Sequence, residues 1–313
     1  VNPAPLATLA LRGAGGEPVD LARTLASHGV AALPPNRIDR TATSLETTLA
    51  LAGGGVATVR LVPGGPGSVD LQLLFGRVGE ADLPPLVAGV RHMLRLDDDL
   101  SAFYGRVARD PDLAWAATGA GRLLRSPTLF EDVAKTVCTT NCAWAATVRI
   151  VTALVEHLGE GGPAGRAFPT PAAMAAADET FYRDVVRAGY RGAYLRTLAG
   201  RVASRDLDLE ALRDPALSDD EVERRLLALP GVGPYAAAHV MLVALGRHHR
   251  LVLDAWTRPT YARLWGKPVG DEAIRRRFRR YGRQAGLAFW LYVTRDWVTQ
   301  APGDGADGSG APS

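Results

Sequence analysis

The chain has 313 residues, 47% of them hydrophobic and 22% charged, a balance that excludes a disordered chain and allows about two domains. No apolar run reaches the roughly 18–20 residues of a membrane helix, and two cysteines cannot build a disulfide framework, a four-cysteine zinc site or a cubane iron–sulfur cluster. The formal charge is +3, but residues 250–300 hold eleven Arg/Lys against four Asp/Glu, and the chain's only lysines are Lys135 and Lys267. Such a local basic surplus points to a polyanionic partner, although an arginine-rich helix face that is merely solvated gives the same count. Val1-Asn2-Pro3 opens neither a basic nor an apolar leader segment, so no signal peptide is expected and a reducing cytoplasm is the default.

In chain order, Asp20 to His28 reads as a short helix ended near Gly29, and Arg37–Leu51 carries strand-like material. The runs Val56–Val62 and Val69–Phe75 are short and partly alternating, and Pro63-Gly64-Gly65-Pro66-Gly67 separates them. They read as a β-hairpin. Residues 1–80 are therefore expected to form a small α+β unit with an antiparallel sheet. From about Leu83 onward apolar residues recur at i, i+3 and i+4 in fourteen segments, the first Leu86–Leu94 and the last Leu287–Val298. Asp, Ser, Thr, Pro or Gly bounds many of them as start and stop signals. Short connections imply orthogonally packed helices, so residues 81–300 are expected to be an all-α domain. The small, polar residues 301–313 read as a flexible tail.

The stretch Leu229-Pro230-Gly231-Val232-Gly233-Pro234-Tyr235 joins a helix ending near Leu227 to one starting near Tyr235. Two glycines let the chain turn tightly and expose successive backbone N–H groups beside a helix N-terminus, a nest that can hold a phosphate independently of sequence. An ordinary turn between helices has the same composition. About twenty residues on, Leu251-Val252-Leu253-Asp254 places an aspartate at the start of another helix.

With this hairpin and aspartate the sequence resembles the helix–hairpin–helix (HhH-GPD) DNA glycosylases, in particular the alkyl-base (3-methyladenine) and 8-oxoguanine branches. Cys138-Thr139-Thr140-Asn141 looks like the helix end that approaches the lesion in these enzymes, and Gly189-Tyr190-Arg191-Gly192-Ala193-Tyr194 looks like the Gly-Tyr-Arg segment between that helix and the hairpin. The resemblance runs across residues 100–300, and the small domain before the helical core also fits it. It implies base-excision repair of double-stranded DNA; the expected protein is a monomer with no membrane partner.

Asp254 is the expected catalytic residue. A carboxylate stabilises the oxocarbenium-like sugar formed as an N-glycosidic bond breaks, and it can orient water. Asp at a helix start is also a common N-cap, and one residue can do both. Members that also nick the strand carry a Schiff-base lysine where this chain has Tyr235, so the resemblance implies a monofunctional enzyme. Tyr235, His239, Trp144 and Trp290 are the candidate base pocket, against ordinary core packing of each. Asn141 would fill the gap left by the flipped base, Tyr190 would wedge beside it and Arg191 would contact the base opposite; a tyrosine in the core and an asparagine capping a helix are the structural alternatives. Gly231, Val232, Gly233, Trp256 and Arg258 complete the expected DNA contacts. In the run Arg275 to Arg280 some members are expected to reach phosphate and the rest to be solvated. The resemblance further implies a monovalent cation on the carbonyls of Leu227, Leu229 and Val232; no other cofactor is expected. The expected substrate is an alkylated purine. The alternatives are 8-oxoguanine and, in another class, a non-catalytic DNA-binding protein that keeps the hairpin as a phosphate clamp.

Overall fold

A computed structural model describes residues 4–297. Strands β1 (Ala7–Ala10), β2 (Arg37–Asp39), β3 (Ser44–Ala50), β4 (Val56–Pro63) and β5 (Ser68–Phe75) form an antiparallel sheet in the order β1-β5-β4-β3-β2. The β4–β5 hairpin sits where the alternating runs predict it. Strand β1 was not legible in the sequence: its four residues pair only with β5, Ala7 opposite Leu71. The first helix is shorter than expected: α1 (Leu21–Leu25) is capped by Asp20, and Gly29–Ala32 continues as a 3-10 turn.

The helices are α2 (Leu83–Met93), α3 (Ser101–Val107), α4 (Leu129–Thr139), α5 (Trp144–Leu158), α6 (Pro171–Ala176), α7 (Arg191–Ala203), α8 (Asp219–Leu227), α9 (Pro234–Val243), α10 (Thr257–Trp265), α11 (Asp271–Phe278) and α12 (Ala285–Thr294). Their starts have local causes. Thr128 caps α4 by accepting from the Glu131 N–H at 3.2 Å, and Ser218 caps α8 by accepting from the Glu221 N–H at 3.2 Å. The region is not purely helical. A two-residue ladder, β6 (Gly161–Gly162) with β7 (Gly165–Arg166), interrupts it, because the glycine-rich loop after α5 folds back on itself beside β3 and β4. The end of the expected segment Leu287–Val298, and the tail 301–313, lie outside the described residues.

Three apolar cores result. The sheet, α1 and α2 share one, in which Leu86, Val90 and Met93 of α2 pack with Leu45, Val59 and Leu71. The sheet's helical cover thus comes from beyond residue 80. Helices α4 to α9 enclose the second, and α3 with α10, α11 and α12 the third. Helix α9 serves both: Ala237 and Met241 face the second core, Ala238 and Leu242 the third. It is accordingly buried and apolar on every side, His239 being its one polar interior residue. The sheet half is fastened to the helices by a buried Arg122–Glu17 pair at 2.5 Å, and Arg95 donates to the Val243 carbonyl at the end of α9 at 2.7 Å. This packing leaves the N-terminus of α9 in a cleft between the two helical cores.

Candidate active site

The loop between α8 and α9 is a closed hairpin. Leu229 N–H donates to the Leu226 carbonyl at 3.0 Å and Val232 N–H to the Leu229 carbonyl at 3.2 Å. Its two glycines have different reasons. Gly231 has φ +77°, and a Cβ there would fall 2.8 Å from Tyr194 Cδ2 and 3.1 Å from Val137 Cγ1, so backbone and neighbours both require it. Gly233 is extended, and a Cβ there would meet nothing within 4 Å. The fold does not need a glycine at 233; the missing side chain leaves the N-terminal N–H groups of α9 open to approach by an anion.

The hairpin forms one wall of a cleft of about 550 Å³. Thr139, Thr140 and Asn141 at the end of α4 line it, with Tyr190 and Tyr194 at the start of α7, Pro234, Tyr235 and Ala236 of α9, and Asp254 and Ala255 before α10. Asp254 is both cap and cleft residue. Its Oδ1 accepts from the N–H groups of Trp256 at 2.8 Å and Thr257 at 2.6 Å. In return the Thr257 hydroxyl accepts from Asp254 N–H at 2.9 Å and donates to the Val252 carbonyl at 2.9 Å. The carboxylate is thereby held by fixed backbone donors, in the manner of a reciprocal capping box. It is the single carboxylate among the cleft-lining residues, which include no histidine, lysine or arginine.

Tyr235 stands beside it. Burial pushes the phenol up to about 12, so it stays neutral at physiological pH. Its Oη lies 3.5 Å from the Thr139 hydroxyl. Asn141 and Tyr190 meet across the cleft rim, the Asn141 amide donating to Tyr190 Oη at 3.2 Å.

Other expected site residues stand outside this cleft. His239 is buried behind Tyr235, their ring centroids 5.9 Å apart. Trp290 is buried behind His239 and donates its indole N–H to the Ser27 carbonyl at 2.8 Å. His28, which no local pattern singles out, completes this layer 6.0 Å from His239. It donates from Nε2 to the Leu124 carbonyl at 2.6 Å. Burial lowers His28 to about 4 and His239 to about 3, so both are neutral. Trp144 packs at the start of α5 beside Gly29, and Trp256 packs on Trp290 and Trp297. Arg258 is engaged by Asp271, with contacts of 2.8 and 2.9 Å. Arg191 is buried and donates to backbone carbonyls.

Thr139, Thr140 and Tyr194 stand inside the quoted motifs without being given a role there, and Ala255 was missed, yet all four line the cleft. Tyr194 follows Tyr190 by one helical turn, and Ala255 adjoins Asp254.

The arginine run also divides differently from expectation. Arg277 is neither solvated nor free: its guanidinium lies 4.1 Å from the Trp265 ring and 4.4 Å from that of Tyr292, and it pairs with Asp112 at 2.6 Å. Arg280 pairs with Asp110, and Arg279 lies 3.7 Å from Glu272. Neither lysine lines the cleft. Lys135 is buried within 2.7 Å of Glu131, and Lys267 is exposed beyond α10. Among the described residues no helix is long and apolar enough to cross a membrane.

No protein-family model matches the chain. A probable N-glycosylase/DNA lyase of Methanothermobacter thermautotrophicus is 23% identical over 193 residues, which are 54% of this chain and 61% of that protein. Among solved structures, MBOgg1 in complex with a low-affinity DNA ligand matches with a TM-score of 0.69 and 18% identity over 92% of this chain and 95% of that one. The 3-methyladenine DNA glycosylase of Archaeoglobus fulgidus gives 0.68 and 18% over 92% and 98%. The apo 8-oxoguanine glycosylase/lyase of Clostridium acetobutylicum gives 0.60 and 19% over 83% and 98%. The chain has the fold of the helix–hairpin–helix DNA glycosylases.

Proposed function

We propose that the protein is a monofunctional DNA N-glycosylase. Acting as a monomer in the cytoplasm, it flips an alkylated purine out of a duplex and hydrolyses its N-glycosidic bond, leaving an abasic site. The observation that carries this reading is the composition of the cleft: one carboxylate, fixed by backbone donors, faces an aromatic ring beside an open hairpin.

As the bond from C1′ to the base nitrogen lengthens, positive charge develops on the sugar, and the Asp254 carboxylate stabilises it without having to reorganise. The same carboxylate orients the water that adds to C1′ and takes up the proton this water loses. The ring beside the carboxylate is a poor proton donor near neutral pH, since the Tyr235 phenol has been pushed up to about 12, and no histidine lines the cleft. A purine alkylated at N3 or N7 is already cationic and departs neutral, so it needs no acid. That match of leaving group to cleft favours alkylated purines. Schiff-base chemistry requires an amine at the sugar, and Tyr235 occupies the motif position where a lysine would supply one. The hairpin N–H groups hold a phosphate, and the hairpin carbonyls fit a monovalent cation that would add positive charge there. Leu229's accepts one hydrogen bond, from Val232, and keeps its second lone pair for such an ion beside the carbonyls of Leu227 and Val232.

The test is base release from duplexes carrying alkylated purines, deaminated bases or 8-oxoguanine. Release of an alkylated purine without strand cleavage is expected, reduced about 10²–10³-fold in Asp254→Asn with duplex binding retained. Borohydride trapping of a covalent DNA adduct would overturn the monofunctional claim. Release of 8-oxoguanine alone would overturn the substrate class, and duplex binding with no release from any lesion would leave a phosphate clamp.

A further inference from the structure

Arg191, at the first position of α7, is only 7% exposed. Its Nε donates to the Thr140 carbonyl at 2.8 Å, and Nη2 bridges the Thr140 and Asn141 carbonyls, the latter at 2.8 Å. Nη1 donates to the Ala188 carbonyl at 3.4 Å. All three guanidinium nitrogens are thus committed to backbone at the end of α4 and the start of α7. The guanidinium carbon also lies 4.7 Å from the centroid of the Tyr190 ring.

What these contacts hold is unusual backbone. Asn141 has φ +48°, in the left-handed region, which asparagine tolerates but does not choose. In that conformation its amide reaches Tyr190 Oη at 3.2 Å, across 49 residues of sequence. Tyr190 itself is 52% exposed on the cleft rim.

We infer that Arg191 is a positioning residue: it holds Asn141 and Tyr190 as one preassembled pair at the cleft rim, and it does not itself read the base opposite the lesion. The inference rests on the DNA reading proposed above. A guanidinium is suited to this task because its planar donors span two carbonyls while its face packs on a ring, which the point charge of a lysine cannot reproduce. Ordering Asn141 and Tyr190 before DNA arrives removes a cost that would otherwise fall on binding. The pair discriminates by filling space, so its action is the same whichever base stands opposite.

The test uses the full chain and duplexes with a tetrahydrofuran abasic analogue opposite each of the four bases, compared with undamaged duplex. The wild type should prefer the abasic duplexes. Arg191→Lys and Arg191→Met should each lower that preference tenfold or more, by one common factor for all four opposite bases. Tyr190→Phe, which removes only the bond to Asn141, should lower it by a smaller common factor. Combining Arg191→Met with Tyr190→Ala should cost no more than Tyr190→Ala alone, because both act through one pair. If Arg191→Met does not fold, Arg191→Lys and the exposed Tyr190→Phe carry the comparison. A loss confined to one opposite base, additive losses, or full preference in Arg191→Lys overturns the inference. A wild type with no preference for abasic DNA overturns the glycosylase reading and this inference with it.

Discussion

The two sides of Tyr235 are built on different principles. On the cleft side the groups proposed to act are backbone or are held through backbone atoms: the hairpin N–H groups, the Asp254 carboxylate held by Trp256 and Thr257 N–H, and Asn141, whose carbonyl accepts from Arg191. On the other side a layer of side chains, His28, His239 and Trp290, is sealed by its own packing and by single bonds to distant carbonyls. The cleft side is open yet ordered because backbone geometry needs no burial to persist. The inner side is ordered only because it is closed. Substitutions of the side chains that face the cleft should therefore change binding or rate with little effect on stability, and those on the inner side the reverse.

Trp290→Ala is the strongest test of that division. It removes a buried indole and its bond to Ser27, so about 3–5 kcal/mol of stability should be lost, read by denaturant unfolding. A loss below about 1 kcal/mol would mean that the inner layer is not closed.

The two hairpin glycines cut the comparison more finely. Gly231→Ala forces an L-residue into φ +77° and presses a methyl on Tyr194 and Val137. It should cost about 2–3 kcal/mol, of which roughly 1–2 is backbone strain. Gly233→Ala meets no atom and should leave the melting temperature unchanged, while weakening duplex binding about tenfold and equally for all sequences, as loss of a phosphate contact does. Equal effects from the two substitutions would erase the distinction drawn between them.

Acid should act on the inner side first. His28 and His239 are lowered, to about 4 and about 3, by burial, so between those values and the ordinary 6.5 the unfolded chain binds protons that the folded chain refuses. Stability is then complete above about pH 6.5 and falls as pH drops, by about 2 kcal/mol per such histidine at pH 5. His92 and His248, each lowered to about 3 chiefly by burial, add to the loss. Asp132, raised to about 6 by burial, opposes it, because its stabilising protonated form returns as pH falls. In His239→Phe the difference in unfolding free energy between pH 8 and pH 5 should shrink by about 2 kcal/mol. An unchanged difference would show that His239 is not held neutral.

The division also explains what the sequence could disclose. The β4–β5 hairpin, the Thr128 and Ser218 caps, the Gly231–Gly233 turn and Asp254 are local features, each specified within a few residues and each legible. Tyr194 stands in the Gly189–Tyr194 motif, one helical turn after Tyr190. The inner layer was not: Trp290 meets Ser27 across 263 residues, and His28 meets Leu124 across 96. No window of sequence contains both partners, so whether an aromatic residue lines an opening or seals it is decided by packing among three cores. Strand β1 was hidden for the same reason. Arg191 differs in the opposite sense, since its motif position suggests a contact with DNA and only the fold reveals the carbonyls that take its donors.

Arg258 gives the smallest expected effect and tests how far charge counting can be taken. The basic surplus of residues 250–300 invites a phosphate contact from this residue, yet Asp271 engages it through both carboxylate oxygens, and the pair is about half exposed. An ion pair of that kind contributes about 0–1 kcal/mol to stability, and a cation already matched to a carboxylate releases little counterion when a phosphate approaches. Arg258→Ala should therefore change duplex affinity less than about threefold and leave the salt slope of binding within half a unit of the wild type, whereas loss of one full phosphate contact lowers it by about 0.9. A fall of that size would mean that Arg258 leaves Asp271 for DNA, and that the surplus charge acts at the cleft rim after all.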